Sequence, residues 1–181
     1  MKQSMGRTGR HSKRDIITMS GVPPYLFLGP YTSASRSFID SAGITHVISI
    51  SNAAPACPDH PNVQYHRLQL SGRDISSIYT ATDKATEVIT YTGDCGGKVL
   101  VHCFAGVSRS LTTIAAYLVS RCSMTLKDAL GLPVRARPAV CSRLGFIAQL
   151  KEVEMRVRGC YSLDVSFLLG CRETRLALLA G

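Results

Sequence analysis

At 181 residues, with 45% hydrophobic and 18% charged side chains, the chain has room for one globular domain with a real core, which excludes disorder throughout. Its net charge of +9 favours anionic partners, while its seven cysteines, odd in number and without Cys-x-x-Cys pairs, give no metal-like spacing. The longest apolar runs, near Val165 to Leu169 and Leu176 to Ala180, are too short to span a bilayer, so no transmembrane segment is expected.

Lys2, Arg7, Arg10, Lys13 and Arg14 all precede the first acid, Asp15. Residues 1–19 therefore read as a flexible basic arm, and no nucleic-acid partner is expected. Met1-Lys2-Gln3-Ser4 opens no secretory leader. A reducing compartment follows as the expectation, cytoplasmic and also open to the nucleus, where thiols stay free.

Val22-Pro23-Pro24 introduces a short strand, Tyr25 to Leu28, closed by Gly29-Pro30. Ser33 to Ala42 predicts a helix that stops at Gly43, and His46 to Ile50 a buried strand. Residues 52–62, with Pro55, Pro58 and Pro61, form a loop, and His60 within it reads as a surface residue. Tyr65 to Leu70 alternates as a half-buried strand does; Ser71-Gly72-Arg73-Asp74 is a turn; and Ser77 to Thr92 predicts a helix with Ile78, Ala81, Ala85, Val88 and Ile89 on one face.

The next stretch organises the rest. Lys98-Val99-Leu100-Val101-His102-Cys103 is a β-branched run ending in a cysteine, followed by Phe104-Ala105-Gly106-Val107-Ser108 and a helix that opens at Arg109. A loop wrapping onto a helix N-terminus aims backbone N–H groups at one spot and binds anions. A thiol at the base of such a cradle has its pKa depressed, so Cys103 is expected to be a thiolate at neutral pH. Arg109 offers a planar fork for two phosphoryl oxygens, Gly106 lets the backbone turn, and Ser110 can donate its hydroxyl to the sulfur when a phosphocysteine is hydrolysed. Of the seven cysteines only Cys103 has an arginine six positions on. The competing reading is a buried structural cysteine beside a helix-capping serine.

Thr125, with Asp128 three residues later, predicts a helix N-cap. Gly131 and Pro133 then predict a broken or kinked helix, since an interior proline costs about 3 kcal/mol. Leu144 to Arg158 is a last helix. The organisation expected is thus an arm at 1–19, a folded domain at 20–158 and a C-terminal extension at 159–181. Alternating strands and helices imply an α/β fold, a central mainly parallel sheet flanked by helices.

His102 to Ser110 resembles the signature loop of the cysteine-dependent protein phosphatases, specifically the small dual-specificity type. Tyr25-Leu26-Phe27-Leu28-Gly29, Gly43 to Ile50, Val63-Gln64-Tyr65, Arg137-Pro138 and Gly145 to Leu150 resemble other segments of that family, so the likeness spans roughly residues 20 to 155. It implies a protein-tyrosine-phosphatase-like fold and a phosphoric monoester hydrolase that needs no cofactor or metal. In that scheme Cys103 attacks phosphorus, while Arg109 and the loop amides of Phe104, Ala105, Gly106, Val107, Ser108 and Arg109 hold the oxygens. Ser110 and His102 would assist the thiolate, although the simplest role for His102 is structural support. Phosphorylated proteins are the implied partners and substrates, with phosphotyrosine and phosphoserine or phosphothreonine both accepted. Oligomeric state is not implied.

Two departures from the family pattern stand out. A proton donor is expected on the loop after Val63-Gln64-Tyr65, but gapless counting puts Gly72 there, with Asp74 two residues on. Either a shifted loop brings Asp74 to the leaving group, or the acid is absent. Val140-Cys141-Ser142-Arg143 stands where the family has Pro-Asn before the Gly-Phe pair, an asparagine that braces the signature loop. These changes leave open a weakly active or inactive domain that binds phosphoproteins, though an intact Cys103 and Arg109 argue for an enzyme. Cys95 and Cys122 read as ordinary buried cysteines rather than as partners for an oxidised Cys103, and Arg135 and Arg137 as solvated surface.

Overall fold

The computed structural model describes residues 23–51, 60–70, 75–136 and 142–163. The basic arm, most of the proline-rich loop, the Gly72 and Asp74 turn, Arg137, and the extension beyond 163 lie outside the described residues. In chain order the elements are β1 (Leu26–Pro30), a 3-10 turn (Tyr31–Ala34), α1 (Arg36–Ala42), β2 (His46–Ile50), β3 (Gln64–Leu68), α2 (Ile75–Asp94), β4 (Val99–Cys103), α3 (Arg109–Arg121), α4 (Leu126–Ala136) and α5 (Leu144–Arg158).

Among the described residues four strands form one sheet in the order β1-β4-β2-β3, every pair parallel. β4 is central and buried along its whole length, which its unbroken apolar run requires. Alternation then sorts the two faces. Val99, Val101 and Cys103 join Ile48, Ile50, Leu26 and Leu28 in the larger core beneath α2, α3, α4 and α5. Leu100, Val47 and Phe27 point the other way, toward Ile39 of α1. Truncating a fully buried leucine such as Leu100 or Leu118 would cost about 2–5 kcal/mol.

The strand boundaries differ where pairing outweighs local breakers. β1 continues through Gly29 and Pro30, which pair in register with His102 and Cys103. A proline is tolerated there because β4 is the one strand that β1 pairs with among the described residues, so its missing N–H breaks no second ladder among them. The helix expected from Ser33 is split: Ser35 is extended, so a 3-10 turn precedes α1. Gly43 stops α1 as expected, at φ +68°.

Pro133 does not break its helix. α4 runs on to Ala136, with Pro133 buried in its last turn, where the missing N–H removes a single ladder bond and the ring packs in the interior. Thr125 caps that helix: its Oγ1 accepts the Asp128 N–H at 3.1 Å and donates to the Asp128 carboxylate at 2.6 Å, a cap worth about 1 kcal/mol. Glu154, with 0% exposure, accepts the Leu126 N–H at 2.7 Å, the Ser162 N–H at 3.0 Å and the Ser162 hydroxyl at 2.6 Å. The chain after α5 is therefore docked up to Leu163, which enters the core.

His60 is also more than a surface residue, since its largely covered side chain pairs with Asp40 at 2.7 Å. Cys95 and Cys122, expected to be buried, are exposed because both sit where a helix ends and the chain turns.

His46 and His66 stack at 5.8 Å between centroids, each with a buried, unpartnered Nε2. Burial depresses both pKa values below the usual 6.5, and the neighbouring His46 depresses His66 further. Buried His102 is depressed in the same direction. Below pH 6.5 the unfolded chain therefore takes protons before the folded one, and stability falls with acidification until the folded pKa values are passed. Thermal melts between pH 7.5 and about 5 should show this decline, and His66→Gln should flatten it. An unchanged slope would assign the acid sensitivity elsewhere.

Candidate active site

β4 ends at Cys103 on the carboxyl edge of the sheet, where ligands of parallel α/β sheets bind. The chain then turns through residues 104–108 and enters α3 at Arg109, so the loop amides and the helix start face the sulfur. The Ser110 hydroxyl donates to Cys103 Sγ at 3.3 Å. Burial alone would raise the thiol pKa. The Ser110 hydroxyl and the backbone N–H groups of Ser110, Gly106 and Val107 all bond the ionised form, and together they hold it below its ordinary value.

The loop keeps this shape because of what it touches. Gly106 sits at φ +63°, and a Cβ there would lie 2.4 Å from the Pro30 nitrogen and 2.6 Å from the Gly29 carbonyl carbon. The Tyr31 N–H donates to the Phe104 carbonyl at 3.2 Å, fastening the loop to the turn after β1. On the opposite side the Arg143 N–H donates to Ser108 Oγ at 3.2 Å. Thr112 Oγ1 donates to the Ser108 carbonyl at 2.9 Å, so its single proton is committed and the Ser142 hydroxyl donates to it at 2.8 Å. Ser142 and the Arg143 main chain thus provide the brace that the missing asparagine side chain put in question.

Arg109 stays beside the cradle, its guanidinium donating to the Ile50 carbonyl at the end of β2 at 3.4 Å. His102 projects from the opposite face of β4, its ring 6.0 Å from that of Tyr31. Burial depresses the His102 pKa below the usual value, against a main-chain contact at Cys103 that favours the charged form. Phe104 and Ala105 are exposed at the lip, and Val107 and Ser108 are half-buried. The arrangement offers a polarised sulfur under several N–H donors with a guanidinium at its rim, which suits nucleophilic attack on a tetrahedral dianion.

The structure therefore brings together Cys103, Ser110, Gly106, Val107, Ser108 and Arg109, with Phe104 and Ala105 at the lip. Asp74 and Gly72 lie outside the described residues, so the proton donor has no position here. Sequence reasoning missed Ser142, Tyr31 and the Ile50 carbonyl. Ser142 carried a signal as a departure from the family pattern; main-chain partners carry none.

A family profile described as the dual specificity phosphatase catalytic domain matches residues 26–156. Dual specificity protein phosphatase 1 of Arabidopsis thaliana is 34% identical over 143 residues, 78% of this chain and 71% of that protein. Human serine/threonine/tyrosine-interacting protein is 35% identical over 143 residues, 75% of this chain and 64% of that protein. Among solved structures, human DUSP28 superposes with a TM-score of 0.69 at 26% identity, covering 78% of this chain and 99% of that one.

Proposed function

The chain belongs to the dual-specificity phosphatase family, and is by that family a protein phosphatase; on that premise we propose that it hydrolyses phosphotyrosine and phosphoserine or phosphothreonine through a phosphocysteine. Cys103 attacks phosphorus in line, and the ester oxygen leaves. Arg109 and the amides of residues 104–109 hold the three equatorial oxygens as charge spreads over them. Asp74 protonates the leaving oxygen and then takes a proton from the water that frees the sulfur, leaving inorganic phosphate.

The observation that carries this reading is the Ser110 hydroxyl aimed at the sulfur at 3.3 Å. A hydrogen bond there stabilises the departing thiolate, which a binding domain has no use for. The loop side chains Phe104, Ala105 and Val107 supply no cation to grip a polyanionic head group, which favours phosphoproteins over phosphoinositides. The lip at Phe104 and Ala105 is open, which suits more than one phosphorylated side chain.

Ser110→Ala tests the second half-reaction. With p-nitrophenyl phosphate, rapid mixing should give a burst of nitrophenol close to one per enzyme, then turnover slowed about 10²-fold as phosphocysteine accumulates. Mass spectrometry of the quenched burst should place the phosphate on Cys103. A slow variant with no burst and no labelled cysteine would refute the phosphocysteine route. Asp74→Asn should lower kcat/KM on phenyl phosphate far more than on p-nitrophenyl phosphate, whose leaving group needs little protonation. Equal losses would remove Asp74 from the scheme.

A further inference from the structure

Away from the catalytic edge, a cavity of about 220 Å³ opens between the sheet and the second half of α2, lined by His46, Gln64, His66, Glu87, Val88 and Tyr91. His46 and Gln64 open β2 and β3, so the cavity lies at the amino edge of the sheet, opposite the cradle. The phosphatase scheme makes no use of it. At its base the protons can be counted. The Thr45 hydroxyl gives its one proton to the Lys98 carbonyl at 3.1 Å, so His46 Nδ1, 2.9 Å from the same oxygen, is the donor of that pair. In the neutral ring Nε2 then carries a bare lone pair, and it has no hydrogen-bond partner although His46 is only 7% exposed. The base of the cleft is an acceptor in want of a donor.

We infer that this cleft takes the guanidinium of an arginine side chain carried by a partner protein. A guanidinium is flat, always positive and rich in N–H donors with no acceptor, and the lining is its complement. His46 Nε2 accepts at the base. Glu87 supplies a carboxylate at the rim, exposed and without a hydrogen bond or ion pair of its own among the described residues. Tyr91, 59% exposed and set edge-on to His46 at 6.1 Å, offers a ring face for a stacked cation, and Val88 covers the methylene stem. The Gln64 side chain, beside His46, also favours positive charge there. No lysine or arginine lines the cleft among the described residues; Lys84, the lysine of α2, lines a separate cavity nearer the start of that helix. Because the whole chain carries +9, a strongly basic partner is repelled. The site therefore suits a lone arginine in an otherwise neutral or acidic segment.

The probes are N-acetyl-arginine methylamide and its citrulline counterpart, which keeps the shape and loses the charge. In histidine NMR spectra of the full chain, arginine should move the His46 and His66 resonances saturably, with a Kd in the millimolar range, and leave His60, which Asp40 of α1 holds, in place. Citrulline should bind at least about tenfold more weakly. Glu87→Gln should weaken arginine about three- to tenfold, and Tyr91→Ala about two- to fivefold, with hydrolysis of p-nitrophenyl phosphate unchanged in both. Arginine and citrulline binding alike, equal shifts at all histidines, or full affinity in Glu87→Gln would overturn the inference. None of these outcomes bears on the phosphatase reading, which p-nitrophenyl phosphate tests separately.

Discussion

Cys103→Ser should abolish turnover, with kcat lowered on the order of 10⁴- to 10⁶-fold, because a serine hydroxyl in the same place stays protonated at neutral pH. The amides and the Ser110 hydroxyl that stabilise the sulfur do so by favouring its anion, and they cannot lower an alcohol's pKa far enough to matter. Binding should survive. The cradle amides and the Arg109 guanidinium remain, and the negative sulfur that opposed a dianion is gone. Thermal stabilisation by inorganic phosphate should therefore be at least as large in Cys103→Ser as in the parent, while hydrolysis of p-nitrophenyl phosphate falls to background. Retained hydrolysis would mean that the nucleophile is another group.

Gly106→Ala should be nearly as damaging, for a steric reason. The new Cβ would lie 2.4 Å from the Pro30 nitrogen and 2.8 Å from the Gly29 oxygen, both backbone atoms that cannot rotate aside. Positive φ adds about 1–2 kcal/mol for any residue with a Cβ. The loop must then lift from β1, carrying with it the Gly106 N–H that bonds the thiolate. The thiol pKa rises, so the acidic limb of the kcat/KM profile should move to higher pH, and activity should fall at least about 10²-fold from misplacement alone. Gly96 is the internal control: it has φ +69°, and a Cβ added there would meet nothing within 4 Å. Gly96→Ala should cost only the backbone strain and leave catalysis intact. Equal effects at the two glycines would refute the close approach of loop and strand as the reason.

The site was legible where its chemistry is local. Cys103, Gly106, Arg109 and Ser110 lie within eight consecutive residues, and the strand before them and the helix after them fix their geometry almost without help from the rest of the chain. The parallel sheet was legible from apolar runs for the same reason. What escaped was tertiary. Local rules end a strand at Gly29-Pro30, yet pairing with His102 and Cys103 carries β1 through both. Proline propensity breaks a helix at Pro133, yet burial of its ring in the last turn of α4 preserves it. Ser142 reads as a mere departure from the family pattern until its hydroxyl is seen to donate to Thr112, whose own proton goes to the Ser108 carbonyl.

The carboxylate of Glu154 has a bearing on how the protein can be trimmed. Cutting the chain after Arg158, where the last helix ends, would strip away both Ser162 donors and empty the place filled by Leu163. A desolvated anion would be left with the Leu126 amide as its remaining partner among the described residues, beside a vacated apolar slot. The shortest self-sufficient unit accordingly ends no earlier than Leu163, a handful of residues past the point that helical periodicity alone would suggest.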